Sequence, residues 1–362
     1  MSEKTALVAM SGGVDSSVTA LLLQEQGFTC SGVTMRLYHN EDVGLCQFHT
    51  CCSLKDIDDA QDVAFKLHIP FEVLDYTADF KRQVIAKFVK IYEQGGTPNP
   101  CIDCNRFMKF GHLWEAARKK QLNYVATGHY ARLEFDQKQG LYVLKKALDG
   151  TKDQSYVLYM LNQEQMAHTR LPLGNLTKKE VREIAAGHGL VNARKHDSQD
   201  ICFVPDGDYG KFLEEYTGKT YAQGNFLDIS GKVVGQHRGA VRYTIGQRKK
   251  LGLALGKPVY VCEKDMAANT VMVGDEASLM SKGLVATEVN WLAGRAPTTA
   301  IEVQARTRYK QQEQKAIVYP LGDKSLRLEF AQQQRAVAPG QAVVLYQGDV
   351  VVAGGTITQV LR

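Results

Sequence analysis

Apolar and polar positions in the first 130 residues follow two alternating periods. Four short apolar runs, at 5–10, 28–38, 71–76 and 123–128, have the length and composition of strands that are buried on both faces. The stretches between them carry apolar residues at helical spacing. Strands that alternate with helices in this way predict an α/β fold with a doubly wound parallel sheet, in which ligands bind at the carboxyl ends of the strands.

The pattern changes near residue 205 and again near residue 280. Residues 229–262 contain seven Lys or Arg and no Asp or Glu. This concentration indicates contact with a polyanion, and the alternative is a solvated basic face. Beyond 280 the chain forms short alternating runs that are typical of a small antiparallel β-barrel. We therefore predict three domains, at 1–204, 205–280 and 281–362.

Composition limits the class of protein. The chain has 362 residues, of which 44% are hydrophobic and 23% charged, which describes a globular protein with a core and more than one domain. Its net charge of +5 does not by itself indicate nucleic acid. No apolar run is long enough to span a membrane, and Asp15 with its glycine turn interrupts any signal peptide, so we expect a cytoplasmic protein.

Eight cysteines in a cytoplasmic chain favour catalytic, redox or metal-binding roles over a disulfide framework. Cys30 and Cys262 lie in apolar, strand-like surroundings, and we expect them in the core.

The first junction between a strand and a helix has the sequence MSGGVDSS, at 10–17. Tandem glycines let the backbone turn sharply, and the N–H groups, three serine hydroxyls and the helix N-terminus then suit a pyrophosphate group. The lysine of a Walker-A loop and the G-x-G-x-x-G fingerprint are both missing. SGGVDSS resembles the SGGxDS signature of the ATP pyrophosphatase (PP-loop) superfamily, whose members cleave ATP between the α and β phosphates and adenylate a carbonyl oxygen.

Two further motifs carry thiols. TPNPCIDCNRFMKFG places Cys101 and Cys104 in a C-x-x-C at the start of a predicted helix, and Cys202 follows in HDSQDICFVPDG. Because Cys104 lies near a helix N-terminus, with Arg106 and Lys109 close in sequence, we expect its pKa to be lowered.

Six motifs in the same order resemble the bacterial tRNA-specific 2-thiouridylase family over essentially the whole chain: SGGVDSS, TPNPCIDCNRFMKFG, ATGHYAR, KDQSYVLY, DSQDICFVP and YTIGQRKKLGL. The resemblance implies an adenine nucleotide α-hydrolase-like domain, a small central domain and a C-terminal barrel. It implies ATP and Mg²⁺ as cofactors. The implied reaction is 2-thiolation of the wobble uridine (position 34) of tRNA, by adenylation of uracil O2 and sulfur transfer from a cysteine persulfide.

The resemblance also assigns residues. Cys202 would carry the persulfide, and Cys104 would be its partner, either attacking to release sulfide or resolving the persulfide as a disulfide. Their Cα atoms should therefore approach within about 7 Å, in the closed state if not at rest. Asp15 would orient Mg²⁺, or would only stabilise the turn. The implied ATP contacts are Ala9, Met10, Ser11, Gly12, Gly13, Val14, Asp15, Ser16, Met35 and Gly128. The implied tRNA contacts are Asn99, Pro100, Cys101, His129, Lys152, Asp153, Gln154, Arg308, Tyr309 and Gln341.

The implied partners are a persulfide sulfur-donor protein and tRNA of the Lys, Glu and Gln isoacceptors, with no membrane and a monomeric enzyme. One departure from the family concerns catalysis. Many members have Asp where this chain has Cys101, which leaves the acid/base role open, and Asp103 lies two residues further on.

Several alternatives stay open. Cys101, Cys104 and Cys202 could hold a [4Fe–4S] cluster. The segment LCQFHTCC, with Cys46, His49, Cys51 and Cys52, has a metal-like composition, but it lacks the paired spacing of a zinc site, and we expect no metal ion there. A non-catalytic tRNA-binding or sulfur-carrier protein is disfavoured by the pyrophosphate loop. A small-molecule synthetase is disfavoured by the basic stretch and the cysteine pair.

Overall fold

The computed structural model describes residues 3–39, 54–193, 195, 201–204 and 206–362. The strands are β1 Thr5–Ala9, β2 Thr29–Arg36, β3 Phe71–Asp75, β4 Tyr124–Ala126, β5 Ala131–Asp136, β6 Leu141–Lys146, β7 Thr169–Arg170, β8 Gly224–Leu227, β9 Val233–His237, β10 Tyr260–Asp265, β11 Thr270–Gly274, β12 Met280–Trp291, β13 Ile301–Arg306, β14 Gln314–Pro320, β15 Ser325–Arg335, β16 Ala342–Gln347 and β17 Val350–Leu361.

The α-helices are α1 Val14–Glu25, α2 Leu54–Lys66, α3 Thr77–Phe80, α4 Ala86–Glu93, α5 Pro100–Asp103, α6 Leu113–Lys119, α7 Gln163–Ala167, α8 Lys178–Gly187 and α9 Tyr209–Thr217. Two π-helical segments, Lys81–Ile85 and Cys104–His112, join α3 to α4 and α5 to α6. Segments of this kind are frequent at functional sites.

The N-terminal region is built on a parallel sheet with the strand order β3-β2-β1-β4-β7. Three residues at the centre of β1, Ala6, Leu7 and Val8, are fully buried, because apolar clusters cover both faces of the sheet. The predicted doubly wound fold is confirmed. The strand order reverses at β1, and ligands of such sheets bind in the crevice at this point.

Two features of this sheet differ from the sequence pattern. β3 is an edge strand with no fully buried residue, although its apolar run predicted burial on both faces. β7 has only two residues, Thr169 and Arg170, which is too short for any periodicity to predict.

The C-terminal region is a closed antiparallel barrel. Its strands follow the order β12-β15-β14-β13-β16-β17, and β12 also pairs with β17, which closes the ring. The predicted barrel is confirmed. The β5–β6 hairpin extends this sheet, since Val350 of β17 pairs with Lys145 of β6 and the Arg132 guanidinium contacts the Asp349 carboxylate at 2.6 Å. The predicted domain boundaries stay a prediction.

The central region has a four-stranded sheet, β10-β11-β8-β9, with its own apolar cluster. Six of the seven basic residues at 229–262 are exposed, and the seventh, Arg242, contacts Glu214 at 2.5 Å. Cys30 and Cys262 are buried, as predicted. None of the helices in the described part of the chain combines the length and apolar character needed to span a membrane.

Candidate active site

The loop between β1 and α1 has a backbone that only glycine can supply. Gly12 has φ +69°, in the left-handed region, and a Cβ atom on it would lie 2.2 Å from the Asp56 carbonyl oxygen. Gly13 then precedes the first residue of α1, Val14, in an extended conformation. The two glycines therefore turn the chain from β1 into α1 within a few residues.

Hydrogen bonds within and beside the loop hold this turn in place. The Ser16 hydroxyl accepts from the Ser11 N–H at 3.2 Å and donates to the Gly13 carbonyl at 3.0 Å. The Thr34 hydroxyl of β2 donates to the Met10 carbonyl at 2.6 Å. The first N–H groups of a helix have no acceptor inside that helix, so this end of α1 attracts an anion. The donor set fits a phosphate group.

Other predicted ATP residues lie at the same edge of the sheet. Gly128 follows β4, and a Cβ atom there would lie about 3.0 Å from Asp15 and Ser16, so the two loops touch. Met35 lies on the neighbouring strand β2 and is buried. The residues from Ala9 to Ser16 thus share one crevice with Gly128, and ATP contact at each of them stays a prediction.

Asp15 has two partners that the sequence motifs did not reveal. The Lys178 ammonium donates to both carboxylate oxygens, at 2.7 and 2.8 Å, and the Tyr130 hydroxyl donates to one of them at 2.8 Å. A magnesium ion at Asp15 would have to displace Lys178. The capping box formed by Thr177 and Glu180 marks the start of α8 in the sequence, but only the fold brings that helix to the loop.

The two thiols of the C-x-x-C lie at the start of a helix. Pro100 is the first residue of α5, and the Asn99 side chain caps this helix by accepting from the Cys101 N–H at 3.2 Å. Cys101 is exposed, whereas Cys104, one turn further along, is half-buried.

Burial raises the pKa of Cys104 to about 11, and the nearby charge of Lys109 only partly offsets this. The expectation of a lowered pKa is wrong. The loss of hydration disfavours the thiolate more than the lysine charge and the helix end favour it. Cys104 is therefore a protonated thiol at neutral pH.

Cys202 packs against the same apolar cluster as Cys104. Its neighbour Phe203 is buried between Phe80 and Phe88, with ring centroids 5.7 and 5.2 Å away, and the Tyr38 hydroxyl donates to the Cys202 carbonyl at 2.7 Å. Both cysteines are thiols rather than half-cystines. Their predicted Cα separation stays a prediction.

The Asp103 side chain, in the same helix as the two thiols, forms an ion pair with Lys87. Its carboxylate accepts from the Lys87 ammonium at 2.9 Å, and Lys87 also lies 3.8 Å from Glu288 of the barrel. Burial raises the pKa of Asp103, while Lys87 opposes the shift. Asp103 is thus engaged in a partly buried ion pair with Lys87, and an acid/base role for it stays a prediction.

The comparisons with known proteins agree along the whole chain. A family model described as the tRNA methyl transferase HUP domain matches residues 4–206. A second model, described as the tRNA methyl transferase PRC-barrel domain, matches residues 210–275, and a third, described as the aminomethyltransferase β-barrel domain, matches residues 281–357. The chain is 48% identical to the tRNA-specific 2-thiouridylase MnmA of Acetivibrio thermocellus, over 99% of this chain and 100% of the relative. The chain belongs to the tRNA-specific 2-thiouridylase family.

Two more members of this family are similar over nearly their full length. The MnmA protein of Moorella thermoacetica is 51% identical over 98% of this chain and 100% of its own. That of Symbiobacterium thermophilum is 47% identical over 99% of this chain and 93% of its own. The family resemblance stated from the sequence motifs is confirmed.

The tRNA contacts implied for this thiouridylase family member fall into an exposed, a buried and a partly accessible group. Tyr309 belongs to the exposed group: it is 36% exposed, and its pKa is raised by burial and by the charges of Asp153 and Cys101. Tyr309 is therefore close enough to Cys101 for the two groups to interact electrostatically. The neighbouring Arg308 guanidinium donates to two backbone carbonyls, those of Ile245 and Ala336, both at 2.9 Å, which ties the barrel to the central region.

His129 and Asp153 form the buried group. The His129 ring nitrogen Nδ1 lies 2.7 Å from the Thr127 hydroxyl, and burial holds the pKa of His129 well below its usual value, so the ring is neutral. The Asp153 carboxylate accepts from Ser155 and from the Arg306 guanidinium, the latter at 3.0 Å. Both side chains are hydrogen-bonded inside the protein.

Most of the remaining implied tRNA residues are partly accessible. Lys152, Gln154 and Gln341 are half-buried, and the Gln154 side chain accepts from the Tyr130 N–H at 3.0 Å. Asn99, whose carboxamide caps α5, is half-buried, while Pro100 is buried. RNA contact at all of these positions stays a prediction.

Within the described residues, no group of three or more His, Cys, Asp or Glu side chains is placed to hold a metal ion. The metal-like segment at 45–52 lies outside the described residues. A [4Fe–4S] cluster on Cys101, Cys104 and Cys202 stays an alternative, which iron content and absorbance near 400 nm would test.

Proposed function

We propose that this chain is an ATP-dependent tRNA sulfurtransferase, which replaces the C2 oxygen of the wobble uridine with sulfur. The observation that carries the proposal is one apolar cluster that joins the two parts of the site. It contains Leu7 of β1, whose carboxyl end leads into the nucleotide loop, and both Cys104 and Cys202 pack against it. A phosphate-binding loop and two thiols on a common support match a reaction that needs ATP and sulfur together.

The first step activates the uracil ring. Uracil O2 attacks the α-phosphorus of ATP, and the bond to the β-phosphate breaks. The nucleotide loop holds the pyrophosphate that leaves, since the N–H groups at the start of α1 and the hydroxyl group of Ser11 are donors to anionic oxygen. AMP on O2 then makes C2 an electrophile with a good leaving group.

The second step transfers sulfur. A persulfide on Cys202, loaded by a donor protein, attacks C2 through its terminal sulfur, and AMP leaves with O2. The Cys104 thiolate then attacks the Cys202 sulfur, the S–S bond of the persulfide breaks, and its electron pair stays on the sulfur bound to C2. The products are 2-thiouridine and a Cys104–Cys202 disulfide, which an external thiol must reduce. Because burial raises the pKa of Cys104, this attack requires prior loss of its proton.

Recognition of tRNA uses the central region and the barrel. The exposed basic residues at 229–262 suit the phosphate backbone of an anticodon stem. The wobble base must leave its stack to reach the thiols, and the exposed Tyr309 ring of the barrel offers a stacking surface for it. We expect the Lys, Glu and Gln isoacceptors as substrates, Mg²⁺ with the ATP, and a monomeric enzyme.

A reconstituted reaction tests the proposal. Protein purified without oxygen is incubated with ATP, unmodified tRNA and a persulfide donor, and AMP, pyrophosphate and 2-thiouridine are measured by mass spectrometry. Cys104→Ser and Cys202→Ser should abolish 2-thiouridine while pyrophosphate release persists, whereas Cys262→Ser, a buried cysteine outside the site, should behave as wild type.

Three outcomes would overturn parts of the proposal. Full thiolation by Cys202→Ser would exclude the persulfide role. Absence of AMP and pyrophosphate with tRNA would instead favour a sulfur-carrier protein. Thiolation that requires iron, with absorbance near 400 nm that is lost in Cys101→Ser, would favour the iron–sulfur cluster.

A further inference from the structure

The carbonyl of Gly12, in the nucleotide loop, is bound by two side chains from a distant part of the chain. The Asn192 amide donates to it at 3.1 Å and also donates to the Ser17 hydroxyl at 2.8 Å. The Lys195 ammonium donates to the same carbonyl at 3.1 Å. Asn192 is only 3% exposed, so its contact with the loop is shielded from water.

Two acidic residues of α2 hold Lys195 in place. Its ammonium contacts the Asp56 carboxylate at 2.6 Å and the Asp59 carboxylate at 2.5 Å. Burial disfavours the charged form of Lys195, but the hydrogen bonds and charges of the Asp56 and Asp59 carboxylates favour it more strongly, so the pKa of Lys195 is raised. Lys195 therefore remains a cation, positioned by α2 and directed at the Gly12 carbonyl.

The direction of this carbonyl decides the direction of the next N–H group. In a trans peptide the C=O of one residue and the N–H of the next point to opposite sides. Holding the Gly12 carbonyl towards Asn192 and Lys195 directs the Gly13 N–H to the opposite side. A carbonyl rotated into the anion site would repel phosphate oxygen, so the orientation of this one peptide matters for binding.

We propose that Asn192 and Lys195 are positioning residues for the nucleotide loop, which orient the Gly12 peptide so that the loop accepts the pyrophosphate part of ATP. The inference rests on the proposed ATP-dependent function. It adds two side chains that lie about 180 positions from the loop in sequence and that none of the recognised motifs assigns. Lys195 acts through the loop and is not required to touch the nucleotide.

Binding of two separate ligands tests this role. Pyrophosphate and AMP are titrated by calorimetry into wild type, Lys195→Met, Lys195→Arg and Asn192→Ala. Lys195→Met should weaken pyrophosphate binding about tenfold, the effect of one lost charge-assisted hydrogen bond, and should leave AMP binding unchanged. Lys195→Arg, which keeps the cation, should restore most of the affinity. The KM for ATP in the thiolation reaction should rise in parallel, with kcat changed less.

Two substitutions of Asn192 can be compared with each other. Asn192→Ala removes one donor, whereas Asn192→Asp places a carboxylate against the Gly12 carbonyl, so the aspartate variant should bind pyrophosphate more weakly than the alanine variant. Lys66→Met is the matched control. The Lys66 ammonium joins α2 to the same neighbouring segment by donating to the Gly189 carbonyl at 2.6 Å, but it does not touch the loop.

The outcomes separate this inference from the proposed function. Failure of wild type to bind pyrophosphate would overturn the proposed function. If wild type binds it and Lys195→Met loses AMP and pyrophosphate equally, or if Lys66→Met shows the same loss, the positioning role is wrong. Should Lys195→Met fail to fold, as judged by thermal unfolding, the Asn192 pair and Lys195→Arg provide the same test.

Discussion

The raised pKa of Cys104 leads to a quantitative prediction about its reactivity. Burial moves this pKa from an ordinary value of 9.0 to about 11. Only the thiolate reacts with an alkylating agent, and below the pKa its fraction falls tenfold for each pH unit. At pH 8 the folded protein should therefore contain roughly a hundredfold less Cys104 thiolate than an unfolded chain.

The assay is alkylation with iodoacetamide, followed by mass spectrometry of the peptide that contains Cys104. In the folded protein, the rate should rise about tenfold per pH unit from pH 7.5 to 9.5, with no plateau. In urea, the rate of the same peptide should level off above about pH 9. Lys109→Met should lower the folded rate further, because the Lys109 charge favours the thiolate. A plateau below pH 9 in the folded protein would refute the burial argument.

Three other substitutions test roles that the structure assigns. Gly12→Ala should abolish ATP binding and lower the melting temperature, because the Cβ atom of the alanine would lie 2.2 Å from the Asp56 carbonyl oxygen. Unchanged ATP binding, measured by calorimetry, would contradict the loop geometry. Asp153→Ala should cost about 1–3 kcal/mol in urea unfolding, because it removes the acceptor of the buried Ser155 hydroxyl and one of the two carboxylates that pair with Arg306, the other being Glu313 at 2.7 Å. Loss of tRNA affinity at unchanged stability would show a direct RNA contact instead. Arg308→Ala should lower the free energy of unfolding by about 1–3 kcal/mol, because the carbonyls of Ile245 and Ala336 lose their donor, and it should weaken tRNA binding in a filter-binding assay. Wild-type stability together with wild-type tRNA affinity would refute the role of Arg308 in joining the barrel to the central region.

Much of the architecture follows from local patterns. Alternation of apolar runs with helical stretches predicts the parallel sheet, because a strand covered on both faces has few polar positions. The tandem glycines predict the phosphate loop, since the positive φ of Gly12 is a local backbone requirement. Motif order along the chain was enough to predict the family.

Other features depend on contacts between distant residues. Lys178 at Asp15, and Asn192 with Lys195 at Gly12, lie more than 160 positions from the loop they contact, and no periodicity relates such positions. The β5–β6 hairpin pairs with β17 of the barrel, although its sequence is embedded in the N-terminal region.

The pKa of Cys104 is the clearest example of a property that the sequence could not predict. The helix position of this residue and its basic neighbours are local facts, and they point to a reactive thiolate. Its ionisation is decided by how much water remains around the sulfur, which depends on the apolar cluster that residues from several strands and helices build together. The sequence by itself determined the alternation of strands and helices, the nucleotide loop and the family. Tertiary structure decided the protonation state of the thiol, the partners of Asp15 and the orientation of the Gly12 peptide, because burial and long-range hydrogen bonds exist only in the folded chain.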